Sequence, residues 1–268
     1  MELKELGNTG EMVPEIGLGT WKYSGGVEPL RRGLELGAFL IDTAEIYGSE
    51  EVVGQAVQGK GDQVFIATKV SGSHLRYDQV MRAAEASLRR LGRDRIDLYQ
   101  IHWPNSRVPI RETMRAMETL VDSGQVRYVG VSNFTASELQ QAQAAMPNYP
   151  IVSNQVLYNL KQREIEEELL PYCQEQHITV MAYTPLDDGS LATRPRLLGD
   201  RGTKALAEVA AQVDKTLAQV ALNWCTSRPY VIAIPKSNHV DRTVENCGAS
   251  GWRLSSEQVR LLDEAFGR

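Results

Sequence analysis

Short apolar, β-branched runs alternate with segments of helical period along almost the whole chain. The runs are Glu15–Leu18, Phe39–Asp42, Val64–Thr68, Ile96–Ile101, Tyr128–Val131, Val152–Val156, Thr179–Ala182 and Val231–Ile234. Runs apolar on both faces predict strands covered by protein on both sides, as in a parallel sheet. Between them lie amphipathic stretches, Asp78–Leu91, Ile110–Val121, Ser137–Ala145 and Ile165–Gln176, that predict covering helices. Gly92 and Gly124 follow the first two, where a left-handed residue ends a helix at little cost. Eight such units predict an α/β fold of the closed (β/α)8, or TIM, barrel type rather than an open sheet.

Two segments depart from the alternation. Leu3–Leu6, Gly7-Asn8-Thr9-Gly10 and Met12–Pro14 read as an N-terminal β-hairpin ahead of the first barrel strand. Between the seventh and eighth strands there is room for an added helix, Thr203–Val213, before Thr216–Cys225, so extra helices are expected near the C-terminus. With no domain-sized linker and no short repeat, residues 1–268 read as one barrel domain.

Composition narrows the class. The chain is 42% hydrophobic and 24% charged, ordinary for a globular protein, and its net charge of -5 gives no general attraction to nucleic acid or anionic lipid. Cys173, Cys225 and Cys247 are widely spaced, with neither a disulfide framework nor a zinc pattern, and read as plain thiols in a reducing cytosol. His74, His177 and His239 lack partners at metal-ligand spacing. The charged start Met1-Glu2-Leu3-Lys4-Glu5 has no apolar core of a secretion signal, and no run approaches the roughly 18 apolar residues of a membrane span. A cytoplasmic protein is expected, monomeric or a small homo-oligomer.

In a (β/α)8 barrel the reactive groups sit at the C-terminal ends of the strands. That rule draws Asp42, Tyr47, Lys69 and His102 to one mouth. Free tyrosine titrates near 10, too high for an efficient acid at neutral pH. A neighbouring ammonium would lower that value, and a carboxylate would hold the ammonium charged and aimed. Lys236, Ser237 and Arg242 beside a helix start make a local anion site on an acidic protein. Two tempting phosphate motifs fail. Gly54–Lys60 lacks the following Ser or Thr and reads as a helix end, and Gly17-Leu18-Gly19 lacks a third glycine.

The segment Gly37-Ala38-Phe39-Leu40-Ile41-Asp42-Thr43-Ala44-Glu45-Ile46-Tyr47-Gly48-Ser49-Glu50 resembles the signature of the aldo-keto reductase family around its second strand. Thr68-Lys69-Val70 and Asp97-Leu98-Tyr99-Gln100-Ile101-His102-Trp103-Pro104 resemble the motifs of the next two strands, and the similarity runs from the hairpin through Asn246. The resemblance implies NADPH-dependent reduction of aldehydes or ketones. It implies Tyr47 as general acid, Lys69 and His102 as its tuning partners and Asp42 as the lysine's anchor.

It further implies that Ser132, Asn133 and Gln155 hold the nicotinamide carboxamide and that Tyr183 stacks on the ring. Ile234, Pro235, Lys236, Ser237, Arg242, Glu245 and Asn246 would take the 2′-phosphate and adenine. Thr20, Trp21, Asp42, Pro185 and Leu186 complete the cofactor set. Trp21, Tyr47, His102 and Trp103 would line the carbonyl site, with Tyr23 and Trp252 as further walls. The brief loop Asn105–Pro109 and a short C-terminal tail ending at Arg268 suggest an open pocket tolerant of many carbonyls. Thr184 stands where serine is common, and Asp187 and Asp188 are unfavourable near a pyrophosphate unless they point away. Two other readings are a lyase using Lys69 as a Schiff-base nucleophile and a non-catalytic NADPH-binding subunit.

Overall fold

The computed structural model describes residues 1–193 and 200–267; Arg268, where the C-terminal tail ends, lies outside them. The N-terminal hairpin pairs β1 (Leu3–Glu5) antiparallel with β2 (Met12–Pro14). Eight strands follow: β3 (Leu18–Gly19), β4 (Leu40–Asp42), β5 (Phe65–Val70), β6 (Ile96–Ile101), β7 (Val126–Ser132), β8 (Ile151–Leu157), β9 (Thr179–Tyr183) and β10 (Val231–Ala233). They pair in parallel, each with its sequence neighbour. Bridges Ile16↔Ala233 and Gly19↔Lys236 join the last strand to the first and close the ring. The expected (β/α)8 architecture and its hairpin are both present.

Closure requires glycine. A Cβ at Gly19 would lie 2.5 Å from the Ile234 carbonyl oxygen, so only a bare backbone lets β3 approach β10. Gly17 and Gly19 thus serve the seam, and the sequence gains from them a barrel joint rather than a phosphate loop. Below the ring, Leu6 and Val13 of the hairpin plug an inner apolar layer formed with Leu40, Phe65, Leu98, Met181 and Ile232. Full burial of side chains of this class contributes about 1.5–3 kcal/mol each.

Among the described residues ten helices accompany the ring: α1 (Glu28–Glu35), α2 (Glu50–Ala56), α3 (Tyr77–Leu91), α4 (Ile110–Asp122), α5 (Ala136–Ala144), α6 (Leu169–Glu175), α7 (Arg201–Val213), α8 (Leu217–Thr226), α9 (Val240–Cys247) and α10 (Ser256–Phe266). Thr135, Thr216 and Ser255 open α5, α8 and α10 with capping boxes, their side chains accepting from the backbone N–H groups of Glu138, Gln219 and Gln258. Gly92 ends α3 with φ 63°, as its position predicts. The added helix before Thr216 is α7. One expectation needs correction: Ile165–Gln176 is no continuous helix but a 3-10 turn at Glu164–Glu166 followed by α6. Pro171 has no N–H to donate and its ring would meet the carbonyl four residues back, so the helix restarts with proline in its first turn.

Candidate active site

The C-terminal ends of the strands open into a cleft of about 520 Å³ lined by Thr20, Trp21, Asp42, Tyr47, His102, Trp103, Asn133, Gln155, Tyr183, Pro185, Leu186, Ile234, Pro235 and Lys236 among others. Asp42 is the last residue of β4, and Lys69 on β5 meets it in the barrel interior. Lys69 is fully buried and its Nζ donates to Asp42 Oδ1 at 2.9 Å, Asp42 Oδ2 at 2.7 Å and the Thr43 carbonyl at 2.8 Å. All three ammonium protons are therefore spent. Gln155 Nε2 donates to Asp42 Oδ1 at 2.7 Å from the opposite wall. Burial pulls the Lys69 ammonium below the ordinary lysine range, and the Asp42 carboxylate pulls it back up.

Tyr47 ends a 3-10 turn, Glu45–Tyr47, that left-handed Gly48 (φ 68°) terminates. Glu45 staples the turn to the loop after β5, accepting from the Ser71 backbone N–H and meeting His74 Nδ1 at 3.0 Å. Tyr47 Oη lies 3.3 Å from His102 Nε2, and the Lys69 Nζ is 4.9 Å from the phenol ring centroid. Trp21 packs on Tyr47 with ring centroids 4.8 Å apart. Burial, then the Asp42 charge and Tyr183, push the Tyr47 phenol above its ordinary value. The lowering expected from the lysine does not occur in the chain by itself. The Lys69 ammonium is turned to Asp42 and Thr43, and the Asp42 charge adds to the rise that burial imposes on the phenol. His102 is held neutral instead, pushed down to about 4 by burial and by the Lys69 charge.

Asn133 adopts φ 63°, a left-handed conformation asparagine tolerates better than most residues. Its Nδ2 donates to the His102 carbonyl at 3.1 Å and its Oδ1 accepts from the Tyr183 hydroxyl at 2.9 Å. Ser132 does not line the cleft; it is buried below it and donates to the Gln155 carbonyl. Lys236 is exposed at the cleft edge. Ser237, Arg242, Glu245 and Asn246 lie outside this cleft on the β10–α9 connection and α9, where Arg242 pairs with Glu245 at 2.7 Å.

Two further expectations change here, and one open point finds its cause. Tyr23 does not line the cleft; its hydroxyl turns away to the Gly26 carbonyl at 2.8 Å. Trp252 lies elsewhere, donating to the Gly248 carbonyl at 3.0 Å and packed on the outer core. Asp187, without explanation in the sequence, is paired with Lys161 at 2.8 Å and receives Gln162 and Ser190 as well. That pairing turns it from the cleft, although Asp188 does line it. Ile46, 53% exposed at the rim, was not singled out beforehand; an apolar residue in a short turn carries no periodic signal. The cysteines are buried, with thiols pushed up by burial to about 12, 12 and 11 for Cys173, Cys225 and Cys247, as fits inert packing. Among the described residues no cluster suited to a metal exists and no helix is long and apolar enough to cross a membrane.

A closed parallel barrel whose mouth brings a buried lysine–aspartate pair beside a tyrosine and a histidine defines a TIM-barrel protein with a polar cluster at the strand ends. Comparison with known proteins carries this further. The Aldo/keto reductase family model matches residues 15–266. The methylglyoxal reductase YeaE of Escherichia coli K12 is 39% identical, with 99% of this chain and 96% of that protein covered. A thermostable aldo-keto reductase solved with the inhibitor epalrestat superposes with TM-score 0.92 at 40% identity, covering 99% of this chain and 100% of that one. An aldo/keto reductase from Klebsiella pneumoniae, solved with NADP and acetate, gives TM-score 0.85 at 38% identity, with 95% and 92% covered. The chain belongs to the aldo/keto reductase family.

Proposed function

We propose that this protein reduces aldehydes or ketones to alcohols with NADPH, Tyr47 being the general acid. The observation that carries the reading is the convergence of Tyr47, Asp42 and His102 on one cleft, with Lys69 buried behind Asp42 and Tyr47 Oη and His102 Nε2 3.3 Å apart. The cofactor supplies hydride. The donor set fits it: the amides of Asn133 and Gln155 match a carboxamide, the half-buried Tyr183 ring offers a stacking face, and exposed Lys236 at the cleft edge offers a phosphate partner. Ser132 would steady Gln155 from beneath rather than touch the ring. Ser237, Arg242, Glu245 and Asn246 extend the polar track toward an adenosine phosphate, and Thr20, Trp21, Pro185, Leu186, Ile234 and Pro235 wall the path.

Tyr47 Oη and His102 Nε2 are the two groups able to hold a carbonyl oxygen, and the phenol carries the proton that oxygen needs. Trp21 and Trp103, about half exposed, give the substrate apolar walls and limit water. Lys69 and Asp42 fix the phenol's surroundings without reaching the substrate. A Schiff-base role for Lys69 gains no support, since its buried amine is fully engaged with Asp42 and Thr43. A purely cofactor-binding subunit would leave the tyrosine–histidine pair without work. Methylglyoxal, named for the Escherichia coli relative, belongs in the first substrate panel beside larger aldehydes.

Tyr47→Phe should lower turnover at least 100-fold, as loss of a general acid does, while NADPH still quenches protein fluorescence on titration. The proposal would be falsified if the variant kept near-normal loss of nicotinamide absorbance with the same aldehydes.

A further inference from the structure

Directly below the acid–base quartet, the barrel holds polar atoms without partners. Gln100 on β6 is fully buried, and neither its Nε2 nor its Oε1 finds a hydrogen-bond partner among the described residues. The same holds for Ser153 Oγ on β8 and for His102 Nδ1. These atoms belong together. Gln100 lies in β6 and His102 just past its last residue, with the His102 N–H still donating to the Val70 carbonyl at 2.9 Å, so the two keep the strand's alternation and share its inward side. Gln100 is the cross-strand register partner of Lys69 on one side and of Gly130 on the other. A Cβ on Gly130 would lie 2.3 Å from Ser153 Oγ and 3.1 Å from Gln100 Cγ, so the two side chains meet in the room this glycine leaves.

Each unpaired buried polar group costs about 1–3 kcal/mol, and buried water with two to four polar partners is the usual relief. We propose that water bound inside the barrel bridges the Gln100 amide, the Ser153 hydroxyl and His102 Nδ1, and that Gln100 is thereby a positioning residue for His102. The hydrogen-bond balance closes. The Gln100 N–H or Ser153 O–H donates to the water, and the water donates to Nδ1. Nδ1 is then an acceptor, which keeps the proton on Nε2, the nitrogen facing Tyr47. His102 can in this state offer an N–H to a carbonyl oxygen while Tyr47 offers its O–H. The functional consequence rests on the reductase reading; the water site and the tautomer do not.

The test separates the two. Gln100→Met keeps length and volume while removing the amide, and Ser153→Ala removes the hydroxyl at little steric cost. Nitrogen-15 NMR of the imidazole, recorded without cofactor or substrate, should show the Nε2–H tautomer alone in the parent protein and a mixture in Gln100→Met. A crystal structure should show water touching Gln100, Ser153 and His102 Nδ1. The kcat for an aldehyde should fall about three- to tenfold, equivalent to the net contribution of one hydrogen bond, with the KM for NADPH unchanged. An unchanged tautomer in both variants, or electron density with Gln100 bonded to protein and no water beside it, would overturn the water site. A changed tautomer in a protein that reduces no carbonyl would count against the reductase reading alone.

Discussion

At the scale of single residues, the site is governed by how few protons and lone pairs are left over. Lys69 spends all three protons on Asp42 and Thr43, and Asp42 takes a further one from Gln155. The consequence is a tightly bonded pair whose carboxylate, with burial, raises the Tyr47 phenol. His102 has the opposite character, a titratable group kept uncharged by its surroundings. Its folded value of about 4 lies below the ordinary 6.5, so the unfolded chain takes up this proton first as acid is added. His102 therefore leaves stability untouched above pH 6.5 and removes it progressively as pH falls toward 4, by up to about 3 kcal/mol at roughly 1.4 kcal/mol per unit. Urea unfolding of the parent and His102→Gln at pH 7 and pH 4.5 should show the parent losing about 2 kcal/mol more than the variant. Equal losses would contradict a buried neutral imidazole. The Asp–Tyr–Lys–His set was legible in the sequence because all four lie at strand ends within long motifs. The direction of the Tyr47 shift was not legible, because it depends on which acceptors hold the lysine protons.

At the scale of elements, strand ends and the turns after them do the positioning. The Glu45–Tyr47 turn, closed by Gly48 and stapled through Glu45 to the loop after β5, fixes the phenol relative to Lys69 two segments away. The connection from β10 presents exposed Lys236 at the cleft edge, and α9 carries exposed Arg242 outside it. The combined change Lys236→Ala with Arg242→Ala should raise the KM for NADPH tenfold or more, since each lost charged contact costs about 1.5–3 kcal/mol, and should leave the KM for NADH nearly constant. Steady-state kinetics with both cofactors decide this, and parallel changes would remove the phosphate assignment. Most elements were legible from period and caps. The exception, the broken segment at 164–175, turned on Pro171, whose missing donor outweighs an otherwise helical pattern.

At the scale of the whole molecule, the mouth depends on a ring that must close. Closure is secured from below as well as at the seam. Glu15, fully buried, is held by Arg253 through Nη1 at 3.0 Å and Nη2 at 2.6 Å, and Arg253 also meets Glu2. The Lys4 ammonium reaches the carbonyls of Arg228 and Val231, tying the hairpin to the entry of β10. Arg253→Ala leaves the Glu15 carboxylate buried without its partner and should cost about 3 kcal/mol of unfolding free energy in urea, as broken buried pairs do. A loss below about 0.5 kcal/mol, the range of surface changes, would show that this pair does not secure the ring.

The sequence by itself determined the order of strands and helices, the capping residues and the motifs that mark the mouth, because these are properties of short segments and their spacing. It could not decide that Tyr23 and Trp252 face away, that Asp187 is bound by Lys161, or that Gln100 and Ser153 meet over Gly130. Those outcomes depend on which side chains from distant segments occupy the same volume. That is settled only when the ring closes and each buried polar group must find its partner in what remains.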